Sequence, residues 1–191
     1  MESLKVTWKG VTPLIMHSCK CVNPLHPLAL EMKKYTSKRK KTDEDLVALS
    51  DLEWEAGAYW DDEIGLYIPS ENIEATMISG AKNYKKGKDF EKYVSVAEIN
   101  VPFDYGENLT KEQLIHNYEY RDTRAVNVMR SKVIRTRPRF DRWQIQFTLQ
   151  YDENHIDLET IVMCLEYAGQ YVGLCDYRPK YGKFVTVIEN A

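Results

Sequence analysis

The strongest chemical signal in the sequence is a block of arginines that leads into a regular β-strand pattern. From residue 121 to residue 142 the chain carries eight basic residues and two acids, although its formal net charge is −3. Arginine donates two parallel hydrogen bonds to phosphate and stacks on nucleobases. We interpret the block as a nucleic-acid-binding element. The alternative is a solvated face, or arginines paired with segment 42–63, which has nine acids and no base.

The spacing within this block suits a polyanionic strand. Alternate side chains of a β-strand lie on one face, about 6.5–7 Å apart. Arg135, Arg137 and Arg139 are therefore predicted to share a face with a repeat similar to that of an extended phosphate backbone. We assign phosphate binding to the following residues of the block: Arg130, Lys132, Arg135, Arg137, Arg139 and Arg142.

Two further segments combine basic and aromatic residues. "KNYKKGK" at 82–88 and "CDYRPKYG" at 175–182 have the composition of single-strand binders, in which aromatic rings stack on bases and cations hold phosphates. The alternatives are a solvated lysine loop and a turn whose backbone is set by Pro179 and Gly182. The residues predicted to extend the track are Lys82, Lys85, Lys86, Arg178 and Lys180, with Tyr177 and Tyr181 as stacking groups.

We assign no catalytic residue, metal or cofactor. The nearest approach to a metal set is His17, Cys19, Cys21 and His26, but Cys-x-Cys is a poor chelating geometry for zinc. No phosphate-binding P-loop, nucleophile elbow, dinucleotide fingerprint or HExxH motif is present.

The elements that must position these residues follow from periodicity and caps. Apolar and polar residues alternate at 4–8 and 143–151, which predicts two half-buried strands. Residues 64–68 and 181–189 are predicted to form two more strands. Thr42 and Asp45 resemble a capping box before a helix that buries Leu46, Leu49, Leu52 and Ala56. Ser70 and Asp157 are predicted to cap two further helices. Residues 110–140 show no helical stripe and are predicted to form strands and a hairpin.

This order predicts one α+β domain over residues 1–191. Its core is a ferredoxin-like, RNA-recognition-motif-like β-α-β-β-α-β arrangement, and a long insertion, residues 17–60, follows the first strand.

Two stretches resemble a known family. "YIPSENIEATMISGAK" is similar to a strand, turn and helix of the RAMP superfamily of CRISPR effector subunits, and "LEYAGQYVGLCDYRPKYGKFVTV" resembles its C-terminal helix, glycine-rich turn and closing strand. The closest likeness is to solitary RAMP-like proteins of phages. The resemblance implies RNA binding along phosphates, assembly along the strand, and a thumb-like role for residues 17–60.

Composition narrows the setting. No stretch of about 18 apolar residues exists, and the N-terminus lacks the apolar core of a signal peptide. Four unevenly spaced cysteines do not suggest a disulfide framework. We therefore expect a cytoplasmic protein, in the host cytoplasm if it is phage-encoded, with no membrane partner.

The function predicted from the sequence is non-catalytic binding of RNA or single-stranded DNA. The protein would act as a homo-oligomer or as a subunit of a nucleoprotein complex. Two alternatives remain open: an anti-CRISPR, protein-binding decoy that imitates a RAMP subunit, and a RAMP-type, metal-independent endoribonuclease.

Overall fold

The chain is a mixed α+β protein with antiparallel sheets. The computed structural model describes residues 1–128 and 131–189. The strands are β1 (Glu2–Gly10), β2 (Leu14–Ile15), β3 (Trp60–Asp61), β4 (Gly65–Pro69), β5 (Val94–Val96), β6 (Asn100–Asp104), β7 (Arg121–Val128), β8 (Ser131–Phe140), β9 (Gln144–Tyr151) and β10 (Phe184–Glu189). The helices are α1 (Pro27–Thr36), α2 (Asp43–Gly57), α3 (Ser70–Lys82), α4 (Gly87–Tyr93), α5 (Lys111–His116) and α6 (Leu158–Tyr167), and a π-helical turn, Ala168–Val172, continues α6.

The residues gather into two compact units. The first comprises Met1–Leu14, Trp60–Glu107 and the chain from Asp141 onward, and the second comprises Ile15–Tyr59 and Asn108–Phe140. Charge divides between them: the first has 19 acids and 11 lysines and arginines in its sequence, a formal −8, whereas the second has 10 acids and 15 lysines and arginines, a formal +5. The first segment of the second unit nearly coincides with the predicted insertion 17–60.

The seven-stranded sheet belongs to the first unit. Its order is β10-β1-β9-β6-β4-β3, and β5 also pairs with β9. Alternating apolar residues along β1 and β9 form its core. Trp8 is fully buried, stacks on Phe184 at 3.9 Å between ring centroids, and meets Phe147 edge-on at 5.1 Å. The opposite face exposes Lys5 and Lys9. The predicted strand at 143–151 is confirmed, with its apolar residues inside.

Helices α3 and α6 pack on each other at a glycine. A Cβ on Gly80 would lie 2.7 Å from the carbonyl oxygen of Cys164 in α6, so the close approach requires glycine. The predicted cap of α6 is confirmed, since Asp157 accepts a hydrogen bond from the Thr160 amide at 2.7 Å. Ser70 is not a cap. It is the first residue of α3, and Pro69 holds the N-cap position while still paired with Asn100 in the sheet.

Helix α2 belongs to the second unit. The predicted capping box is confirmed: the Asp45 amide donates to Thr42 Oγ1 at 3.2 Å, and the Thr42 amide donates to the Asp45 carboxylate at 3.1 Å. The predicted inward face is partly wrong, because Leu46 is 51% exposed. Glu53 and Trp54 are buried instead. The indole of Trp54 donates to the Tyr120 carbonyl at 2.7 Å, which fixes the face that α2 turns inward.

The predicted hairpin at 121–140 forms, but it lies outside the seven-stranded sheet. Strands β7 and β8 pair from Arg121↔Pro138 to Val128↔Ser131, in a three-stranded sheet of order β2-β8-β7. Before it, the expectation of strands is wrong at α5, a helix with a capping box between Thr110 and Gln113. With six residues, α5 is too short to show a repeating apolar stripe.

No helix within residues 1–128 and 131–189 is long and apolar enough to cross a membrane.

Candidate nucleic-acid interface

The arginines of β8 alternate as the sequence predicts. Arg135, Arg137 and Arg139 are separated by one residue each within a continuous strand, so their side chains share one face. The hairpin register places Arg124 opposite Arg135 and Asp122 opposite Arg137. The face therefore combines four guanidinium groups with a buried carboxylate.

This arginine face is partly paired with carboxylates of its own unit. Glu53 is 7% exposed; its carboxylate accepts a hydrogen bond from Arg135 Nη1 at 2.6 Å and another from the Thr136 amide at 2.8 Å. Arg124 holds both oxygens of Asp122. Arg137 and Arg139 also make contacts within the protein. Arg135 is thus paired with Glu53, a carboxylate of segment 42–63, as the alternative interpretation of the arginine block predicts. Arg135→Glu would place two carboxylates side by side and disturb the fold.

The remaining residues of the predicted block are dispersed. Lys132 is exposed, on the opposite face of β8, across from Asn127. Arg142 is an exposed residue of the first unit and lines a concavity of about 310 Å³ with Lys9 and Tyr105. Arg130 lies outside the described residues. Their assignment to phosphate binding stays a prediction.

A second surface, in the first unit, is formed by tyrosines. Tyr84 meets Tyr167 edge-on at 5.6 Å between ring centroids, and Tyr167 lies 4.8 Å from Tyr171. Tyr171 is 54% exposed. Tyr171 and Tyr177 line the same cavity, and Tyr177 meets Tyr181 at 6.2 Å. We call the set "the tyrosine surface". It consists of Tyr84, Tyr167, Tyr171, Tyr177 and Tyr181 with the neighbouring cations Lys82, Lys85, Arg178 and Lys180.

The loop between the π-helical turn and β10 holds part of this surface in an unusual backbone conformation. Cys175 and Tyr177 adopt φ of 63° and 56°, a left-handed region that residues other than glycine seldom occupy. The loop is closed by the Leu174 amide, which donates to the Gly182 carbonyl at 2.8 Å. A Cβ on Gly182 would lie 2.0 Å from the Leu174 carbonyl oxygen. Such strain persists where surrounding contacts over-determine it, and it clusters at functional sites.

A polar stripe on α3 anchors the loop. Thr76 Oγ1 donates to the Gly173 carbonyl at 3.3 Å and faces Arg178 Nη1 at 3.5 Å, and Asn72 Nδ2 lies 3.8 Å from Cys175 Sγ. Ser79 lies three residues beyond Thr76, on the same helix face, and lines the cavity. Lys82, at the end of α3, is exposed, and its Cγ lies close to Gly87.

The other lysines predicted here differ in environment. Lys85 is exposed at φ 61°, and Lys180 Nζ lies 5.9 Å from the centre of the Tyr181 ring. Lys86 forms an ion pair with Asp89 at 3.0 Å. Arg178 lines the cavity with Tyr171 and Tyr177, and Lys180 lies close to Tyr181. Lys82 and Lys85 are exposed and flank Tyr84 in the sequence, whereas Lys86 is paired with Asp89.

The cysteine of the loop is not an activated nucleophile. Burial raises the pKa of the Cys175 thiol to about 12, so the thiol stays protonated near neutral pH. Among the described residues no three of His, Cys, Asp and Glu gather as a metal site. His26 has a local role instead: its Nδ1 accepts from the Leu28 amide at 3.2 Å and caps α1.

Tyr167 and Tyr171 are not among the residues predicted from the sequence. Their signal was present as two tyrosines four residues apart at the end of an apolar helix, a spacing that puts them on one face. Their meeting with Tyr84 depends on the packing of α6 near the end of α3, which periodicity does not encode.

No protein-family model matches the sequence, and no curated protein matches it significantly.

Proposed function

We propose that the protein binds single-stranded RNA or DNA without cutting it. The observation that carries this proposal is the tyrosine surface. Tyr171 is more than half exposed, Tyr84 is exposed, and Arg178 lines the same cavity as Tyr171. Every base has a π-face, and each base stacked on an aromatic side chain contributes about 1–3 kcal/mol to binding. Bases in a duplex are already stacked on each other, so such a surface favours single strands.

Stacking, more than charge, would supply the affinity. The first unit carries a formal −8, and the tyrosine surface concentrates four of its cations, Lys82, Lys85, Arg178 and Lys180. Four phosphate contacts to a single strand give a slope of log K against log salt of about −3 at most. A polyanion-binding arginine ladder with more contacts would give a steeper slope.

The strand order of the larger sheet supports a ferredoxin-like core and, with it, a RAMP-like protein. Taking β1, α3, β6, β9, α6 and β10 as the β-α-β-β-α-β series, the first and third strands lie at the centre, the last beside the first and the second beside the third. Both segments of the second unit are then insertions into this core. Assembly along a strand, as the resemblance implies, belongs to the same proposal.

The test is binding of fluorescent 12-nucleotide single strands, followed by anisotropy. We expect Tyr171→Ala to weaken binding at least fivefold, since one base loses about 1–3 kcal/mol of stacking. Arg178→Ala should weaken binding and make the salt slope shallower by about 0.7. The matched control is Tyr118→Ala: Tyr118 is 81% exposed but belongs to the second unit. Equal losses in the two tyrosine variants, or no binding by the unchanged protein, would refute the proposal.

A separate measurement addresses catalysis. Labelled RNA incubated with the protein, with and without EDTA, should remain intact in both conditions. Cleavage resistant to EDTA would instead support the metal-independent endoribonuclease.

A further inference from the structure

The tyrosine surface contains a cavity whose polar lining is chemically asymmetric. The cavity has a volume of about 600 Å³ and is lined by Ser79, Tyr171, Val172, Cys175, Asp176, Tyr177, Arg178 and Pro179. Pockets of about 300–1,000 Å³ with aromatic walls and a few fixed polar groups are typical binding sites for small molecules. One nucleotide of a bound strand fits such a space.

The walls of the cavity are held in place before any ligand binds. The Gly173 amide donates to the Ala168 carbonyl at 2.9 Å, the Gly182 amide donates to the Pro13 carbonyl at 2.8 Å, and Thr76 joins α3 to the loop. Asp176 lies between the two left-handed residues Cys175 and Tyr177, so its backbone position is fixed from both sides. Preorganised groups of this kind discriminate between ligands because they do not adapt to a poor partner.

The polar groups of the lining differ in what they can accept or donate. A carboxylate is acceptor-only. Asp176 lines the cavity and its Oδ2 is buried, so Oδ1 is the oxygen to which a hydrogen bond from a ligand is assigned. Arginine is donor-only and suits phosphate, and a serine hydroxyl serves in either sense. The lining therefore offers a cation for the backbone and an acceptor for a base.

We infer that this cavity takes one unstacked nucleobase that bears an amino group, cytosine in preference to uracil or thymine, with Asp176 accepting from the amino group and Arg178 on the neighbouring phosphate. Carboxylates accept from cytosine N4, and a well-placed pair discriminates against the wrong base by about 1–3 kcal/mol. Uracil and thymine carry a carbonyl at the same position. Its oxygen and the carboxylate oxygen are both acceptors, so no hydrogen bond forms between them. The inference rests on the proposed function and adds the base preference of the same site.

The test compares 12-nucleotide oligo-C with oligo-U in RNA, and oligo-dC with oligo-dT in DNA, by anisotropy at pH 7.5. We expect the cytosine strand to bind at least fivefold more tightly in whichever backbone the protein prefers. An oligo-C whose N4 is dimethylated keeps the ring but has no amino hydrogen, and it should bind like the uracil or thymine strand. This comparison needs no protein variant.

The variant Asp176→Asn then assigns the preference to this residue. Asparagine has the same shape and offers both a donor and an acceptor. We therefore expect the variant to bind the cytosine strand and the matching thymine or uracil strand with affinities that differ by no more than twofold. Affinity for the thymine or uracil strand should hold or rise. Equal binding of cytosine and thymine or uracil strands by the unchanged protein, or an unchanged ratio in a folded Asp176→Asn, would overturn the inference and leave the proposed function standing. Absence of binding to every strand would overturn the proposed function itself.

Discussion

Glu53 organises the second unit, and its replacement by alanine measures how much. The carboxylate is the hydrogen-bond acceptor for the Thr136 amide and the partner of Arg135. Thr136 is 2% exposed, so its amide would be left buried and unsatisfied, at a cost of about 1–3 kcal/mol. The Arg135 side chain is 34% exposed and regains water, so the loss of the ion pair itself adds at most about 1 kcal/mol.

The expected destabilisation for Glu53→Ala is therefore about 1–4 kcal/mol, measured as the free energy of unfolding. For a chain of this length this corresponds to a fall in Tm of about 2–16 °C. Circular dichroism at pH 7 during heating is a suitable assay. Glu53→Gln keeps an acceptor for the Thr136 amide and loses the charge, so its loss should be about 1 kcal/mol or less.

Glu55 supplies the matched control on the same helix. Its side chain is 30% exposed and pairs with Lys111 Nζ at 3.0 Å. Since an ion pair this open to solvent contributes about 0–1 kcal/mol, Glu55→Ala should change the Tm by no more than about 4 °C. Equal Tm values for Glu53→Ala and Glu55→Ala, or for Glu53→Ala and Glu53→Gln, would contradict this account of Glu53.

Two further predictions concern the first unit. Gly182→Ala should destabilise the protein by clearly more than Gly65→Ala, as measured by chemical denaturation. Both glycines have positive φ, 71° and 77°, but the added Cβ lies 2.0 Å from the Leu174 carbonyl oxygen at Gly182 and has nothing within 4 Å at Gly65. Equal losses of stability would mean that backbone conformation alone matters. Hydrogen bonds from Thr160, the backbone amide first, hold the pKa of Asp157 below its usual 3.8. The contribution of its charge to stability is therefore complete only well above that usual pKa, and it is lost as pH falls through the lower, folded-state pKa. The Tm difference between the unchanged protein and Asp157→Asn should therefore shrink between pH 5 and about pH 2, and a difference that grows on acidification would contradict this.

The functional proposal rests on a different part of the molecule from the one that the sequence made prominent. The arginines of β8 drew attention because charge density is visible in one dimension. In the structure Arg135 faces a buried carboxylate 82 residues away, and Arg124 holds the neighbouring Asp122. Tyr177 and Tyr181 were predicted as stacking groups, but the contact between the rings of Tyr84 and Tyr167 joins distant parts of the chain and has no local signal.

The sequence by itself determined the local elements. Alternation fixed β1 and β9, because a strand with one buried face must place apolar residues at every second position. The caps at Thr42 and Asp157 were equally readable, because the side chain of a cap bonds to an amide only three residues away. The capping box of α5 was also local, and the six-residue helix behind it was missed because one turn gives no repeat to detect.

Tertiary structure alone decided which sheet the hairpin joins, which carboxylate meets Arg135, and which tyrosines share a surface. Each of these depends on contacts between segments far apart in the chain, whose free energy depends on packing geometry and strand register and not on any local pattern. The strained loop at 175–177 belongs to the same class. Nothing in "CDYRP" requires left-handed backbone at Cys175 and Tyr177. The hydrogen bonds that hold the loop there come from Gly182, from α3 and from Pro13, in the segment that follows β1.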